Sequence, residues 1–97
     1  MNCFLYTKKG SRKHLLAHQF TGNNISMTSL FLEQTNHEFN CRPVGYFYEY
    51  DIPTKNGLET VTHGNWIVQN KDGELEVYTP IEFAAMFTHT GKQITLE

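Results

Sequence analysis

Only two cysteines occur in the 97 residues, Cys3 and Cys41. They form no Cys-x-x-Cys pair, and no Cys–His spacing resembles a zinc motif. That sets aside a disulfide-stapled framework and a zinc finger, and reduced structural thiols are expected. No apolar run approaches the roughly 18 residues of a membrane-spanning helix, so no membrane association is expected. The opening stretch Met1–His14 lacks the order of a secretion signal, because its charge follows its apolar residues. Net charge is small: eight Lys and Arg against ten Asp and Glu give −2. This balance argues against the basic field of a nucleic-acid binder and against the dense acidic field of a DNA mimic.

Catalytic signatures are equally sparse. No Gly-x-Ser-x-Gly occurs and neither cysteine sits in a nucleophile's context. Glu74, Glu76 and Glu82 are the available acid–base groups, and Glu82 is better explained as a helix cap. Five histidines (His14, His18, His37, His63 and His89) do not combine into a metal grip. His14 and His18 are four apart, but along a strand that spacing separates them by roughly 13 Å. The chain is therefore read as non-enzymatic, with no metal and no cofactor.

What the chain does have is aromatic side chains: seven Phe, five Tyr and one Trp. Each large apolar side chain stabilises by about 1.5–3 kcal/mol when fully buried. With 39% apolar residues, one modest core is expected in a single domain over residues 1–97, with a homo-oligomer completing the burial.

Asn2–Thr7 reads as a strand and Gly10 as a turn. His14–Thr21 alternates as a second strand, with Leu16, His18 and Phe20 on one face. Ile25, Met27, Leu30 and Phe31 recur at helical spacing behind Asn24 or Ser26 as N-cap. Residues 36–43 are irregular and can run into an edge strand. Val44–Ile52 reads as a strand with Tyr46, Tyr48 and Tyr50 on one face and Phe47 and Glu49 on the other. Asn56-Gly57 marks a hairpin, followed by strands at Leu58–His63, Trp66–Gln69 and Glu74–Tyr78 with turns at Gly64-Asn65 and Asn70–Gly73. Trp66 is expected to anchor the core. Thr79-Pro80-Ile81-Glu82 has the order of a capped helix start, and Gly91–Glu97 can add a last edge strand. The sum is an α+β fold: a small, largely antiparallel sheet or partly open barrel with two short helices.

Several segments together resemble a family of small phage and prophage proteins, the PGDYG proteins. They are Arg12–Asn24, Ile52-Pro53-Thr54 with Gly57, Gly64–Val68 (GNWIV), Gly73-Glu74, and Pro80 with Phe83. The chain departs from the family's pattern at His63, where the family has Pro, and at Asn65, where it has Asp. Glu76–Thr79 also differs, and Ser26–Tyr50 follows no family pattern. The resemblance implies a phage-encoded protein acting in the host cytoplasm during infection, and it supplies no catalytic residue.

The residues leave two uses for the aromatic strand. Tyr46, Tyr48 and Tyr50 can be an ordinary half-buried sheet face, or a stacking surface for a base. In the second case Arg12, Lys13 and Arg42 would meet phosphates, and His18, His63 and Asn65 complete the candidate ligand set. The basic turn Lys8, Lys9, Arg12 and Lys13 is either a solvated turn or a phosphate contact. The expected function is sequestration of a nucleotide-type immune signalling molecule. The alternative is a protein–protein inhibitor of a host defence or metabolic protein.

Overall fold

The computed structural model describes residues 1–96; the last position of the expected terminal strand, Glu97, lies outside them. The chain runs β1 (Asn2–Lys8), β2 (His14–Gln19), α1 (Ile25–Gln34), β3 (Asn40–Val44) and β4 (Phe47–Thr54). It continues through β5 (Gly57–Val61), β6 (Trp66–Gln69), β7 (Leu75–Tyr78), α2 (Pro80–Met86) and β8 (Phe87–Thr95). The strands form two antiparallel sheets, one ordered β7-β6-β2-β1-β8 and one ordered β3-β4-β5. They do not close into a barrel. The α+β reading thus holds in its open, two-sheet form.

Alternation along the strands explains the layering. In β2, Leu16 and His18 face inward, opposite Gln69 and Ile67 of β6, while Ala17 faces outward opposite Val68. The inward row joins Tyr50, Ile52 and Val61 of the small sheet and Phe31 and Leu32 of α1 in one buried core. The outward row carries a second cluster, in which Ala17, Val68, Phe83 and Phe87 pack α2 onto the back of the large sheet.

The second helix forms as the sequence predicts. The Thr79 hydroxyl accepts the Glu82 N–H at 3.2 Å, and the Glu82 carboxylate accepts the Thr79 N–H at 2.8 Å. That bond holds the Glu82 carboxyl below the usual carboxylate range. Trp66 anchors this layer rather than the inner core. Its ring stacks on Phe83 at 3.8 Å with planes 1° apart, and Tyr6 meets both edge-on. The first helix starts at Ile25, after Asn24, but the Asn24 side chain does not cap it. Its Oδ1 instead accepts the Thr21 N–H at 2.8 Å, which closes the turn leading into the helix.

The expected strand Val44–Ile52 is corrected by the structure. Val44 ends β3 and Phe47 begins β4, and the two residues pair across a two-residue loop, Gly45-Tyr46. Gly45 has φ +61°, the first-position requirement of a II′ hairpin turn, which glycine meets without a Cβ clash. The strand read as Leu58–His63 ends at Val61, and the strand read as His14–Thr21 ends at Gln19.

Candidate functional site

Antiparallel pairing brings the β1–β2 turn and the β6–β7 turn to the same end of the large sheet, because the start of β2 lies beside the end of β6. The β4–β5 turn joins them, its Lys55 N–H donating to the Leu75 carbonyl at 3.2 Å. Between the three turns is a cleft of about 370 Å³. Leu15 and Phe87 supply its apolar surface, and Lys8, Lys13, Lys55 and Lys71 supply ammonium groups from three separate turns of the chain.

One wall is firmly built. The Asn70 Oδ1 accepts the N–H groups of Asp72 and Glu74 at 2.9 and 3.0 Å, fixing the turn, and its Nδ2 donates to Glu76 at 3.0 Å. Glu76 also pairs with Lys55 at 3.2 Å and accepts the Tyr78 hydroxyl. Burial pushes the Glu76 carboxyl up, but hydrogen bonds from Tyr78, Asn70 and Lys55 outweigh it and hold the group below its ordinary range. Burial raises the Tyr78 hydroxyl, and its bond to Glu76 raises it further. Lys55 and Glu76 therefore neutralise one another. Lys8, Lys13 and Lys71 make no ion pair among the described residues, and neither do Asp72 and Glu74. The cleft offers three uncommitted cations and two uncommitted carboxylates around an apolar floor. It can hold an anion.

Of the candidate ligand residues named from sequence, Lys13 lines this cleft, as do Lys8 of the same basic turn and the acidic Glu74 and Glu76; Arg12 is exposed in that turn. The others lie elsewhere. Arg42 is committed to two carboxylates, Asp51 at 2.8 Å and Glu49 at 3.0 Å. The Arg42 hydrogen bond holds the Asp51 carboxyl below its usual range, and a bond from Thr60 adds to this.

The three tyrosines do not share a surface. Tyr46 is 99% exposed in the hairpin loop and Tyr48 is 40% exposed, while Tyr50 is fully buried. The Tyr50 hydroxyl donates to the Ile25 carbonyl at 2.9 Å and bonds Ser29 at 2.6 Å, tying β4 to the first turns of α1. Burial raises the Tyr50 hydroxyl to about 12.

His18 bonds the Thr28 hydroxyl at 2.7 Å and stacks on Phe31 at 5.2 Å. Burial lowers its pKa to about 4, so the half-buried ring is neutral at pH 7. His63 lies between Gly22, where an added Cβ would stand 3.2 Å from its ring, and Phe47, whose ring centroid is 6.2 Å away. The Asn65 Oδ1 accepts the Thr62 N–H at 2.9 Å and closes the turn before β6.

No protein-family model, no curated protein sequence and no solved structure matches this chain.

Lys8 belongs to the basic turn that is legible in the sequence, whereas Lys55 and Lys71 stand outside any basic cluster. A signal for them exists. The turns Lys8–Ser11 (KKGS), Thr54–Gly57 (TKNG) and Asn70–Gly73 (NKDG) each combine lysine with glycine. That they meet at one end of the fold is set by strand pairing, which single-turn patterns do not contain.

Proposed function

We propose that this is a phage-encoded, non-enzymatic accessory protein that binds and sequesters a small phosphorylated ligand of nucleotide type in the cleft at Lys13 and Lys71. Its role is counter-defence, removing an immune signalling molecule from the host cytoplasm. The observation that carries this reading is the gathering of Lys8, Lys13 and Lys71, all without ion-pair partners among the described residues, around one cleft in a chain of net charge −2. Focused cations in an otherwise mildly acidic protein favour a small anion over a long polyanion. The phage setting rests on the resemblance of Arg12–Asn24 and Ile52–Phe87. A second copy closing over the exposed lysines would complete the enclosure, so a closed homo-oligomer belongs to the same proposal.

The test is melting in the presence of cyclic nucleotides and ADP-ribose derivatives. A ligand at 100 times its Kd adds about 2.7 kcal/mol, which raises Tm by roughly 10–20 °C in a domain of this size. The ligand should be recovered chemically unchanged after heating. No shift with any member of the panel would contradict the proposal.

A second reading is supported by the β3–β4 hairpin, whose Val44, Tyr46, Phe47 and Tyr48 are all exposed. Aromatic residues of this kind anchor protein interfaces, which suits an inhibitor of a host defence or metabolic protein. On this reading, Tyr46→Ser with Phe47→Ser abolishes stoichiometric capture of a host protein and leaves the nucleotide-dependent melting shift intact. Capture unaffected by the double substitution removes the hairpin from consideration.

A further inference from the structure

The arrangement of charges in the cleft says more about the ligand than its sign. The cations and the carboxylates are not intermixed at random. Lys8 and Lys13 come from the β1–β2 side, whereas Asp72 and Glu74 belong to the β6–β7 turn, with Lys71 beside them. Asn70 fixes the backbone of that turn through the Asp72 and Glu74 N–H groups, while their carboxylates make no ion pair among the described residues. A ligand seated between the two sides meets Lys8 and Lys13 on one side and, beside Lys71, the carboxylate acceptors of Asp72 and Glu74 on the other, over Leu15 and Phe87.

Resting on the nucleotide-type reading above, we infer that the cleft selects a ligand bearing about two negative charges together with free sugar hydroxyls, and that it discriminates against linear triphosphates. Lys71 offsets part of the charge of Asp72 and Glu74, and Lys8 and Lys13, on the side away from the carboxylates, supply two positive charges, which matches a phosphate dianion. A triphosphate carries roughly twice that charge, and its extra phosphates would lie against Asp72 and Glu74, where like charges repel. Ribose hydroxyls are suited to those carboxylates, since a hydroxyl donates to a charged acceptor in one of the stronger neutral-to-ion hydrogen bonds. The cleft volume, about 370 Å³, is near the lower end of the roughly 300–1,000 Å³ of small-molecule sites, which suits one nucleoside unit.

The experiment is calorimetric titration of the full chain with AMP, ATP and 2′,3′-dideoxy-AMP, without divalent metal, and of the Asp72→Asn, Glu74→Gln double variant. Both substitutions leave the backbone bonds to Asn70 in place. AMP is expected to bind about tenfold more tightly than ATP and about tenfold more tightly than the dideoxy analogue. In the double variant both preferences should shrink to about twofold. ATP binding as tightly as AMP to the natural chain, or preferences unmoved in the double variant, would overturn the inference while leaving nucleotide binding standing. Absence of binding by all three ligands would also overturn the inference, and absence of binding by the cyclic nucleotides and ADP-ribose derivatives as well would overturn the reading on which it rests.

Discussion

Replacing Phe31 with alanine will destabilise the fold by about 3–5 kcal/mol, the usual cost of removing a buried phenyl ring. Phe31 is fully buried and lies where α1 meets both sheets, in one core cluster with Phe20, Tyr50, Ile52 and Ile67. Domains of this size have about 5–15 kcal/mol in total, so the variant will be marginal, with a Tm lower by roughly 15 °C or more. Urea denaturation measures the change directly. Phe31→Leu keeps most of the volume and should lose less than half as much. A loss under about 1 kcal/mol for Phe31→Ala would mean that α1 is not seated as described.

Acidification from pH 7 to pH 4 will cost a further large increment through one side chain, His18. Its pKa is lowered to about 4 from the ordinary 6.5 because burial against Phe31 penalises the charged ring. The folded-state value lies below the unfolded one, so between about pH 6.5 and pH 4 the unfolded chain binds a proton that the folded chain refuses. The stability is fully present above pH 6.5 and declines as pH falls through this window, by about 3 kcal/mol in all. The Glu76 and Glu82 carboxyls, both held low by their hydrogen bonds, lose their contributions at lower pH still. Urea midpoints from pH 7 to pH 4, compared with those of His18→Gln, isolate the effect. The natural chain should show the steeper decline, and an equal slope in the two proteins would contradict it. The two predictions are linked: Phe31→Ala admits water to the imidazole, so the His18 pKa should move back toward 6.5 and the acid sensitivity should lessen.

Local signals in the sequence were read well where the physics is local. The Thr79–Glu82 capping box involves residues three apart, and both of its bonds form. The face of His14–Gln19 follows from period two, and Leu16 and Ile67 do meet in the core. The tyrosine face fails because Tyr46 lies in the turn, outside β4, and because Tyr50, two residues from Tyr48 on the same strand, is covered by α1. Gly45 has only Val44 and Tyr46 directly beside it, Pro43 two residues earlier is the one further turn signal, and strand propensity on both sides concealed it. Once that turn sets the register, Arg42 stands opposite Glu49 and diagonal to Asp51. Its ion pairs then follow, and it ceases to be a free phosphate ligand. The lysine cleft was illegible for a different reason. Lys8 and Lys13, Lys55, and Lys71 lie on three turns that are distant in sequence, and only the order β7-β6-β2-β1 brings two of those turns side by side.

The lysine cleft as an anion site is the central claim, and charge reversal at its two sides tests it most directly. Lys13→Glu with Lys71→Glu alters two exposed side chains that make no ion pair among the described residues, so the unliganded Tm should change by no more than a few degrees. With AMP added in excess, the natural chain should melt several degrees higher than without it, and the double variant should show no AMP-dependent rise. An AMP-dependent rise of equal size in both proteins would place the anion elsewhere and contradict the account.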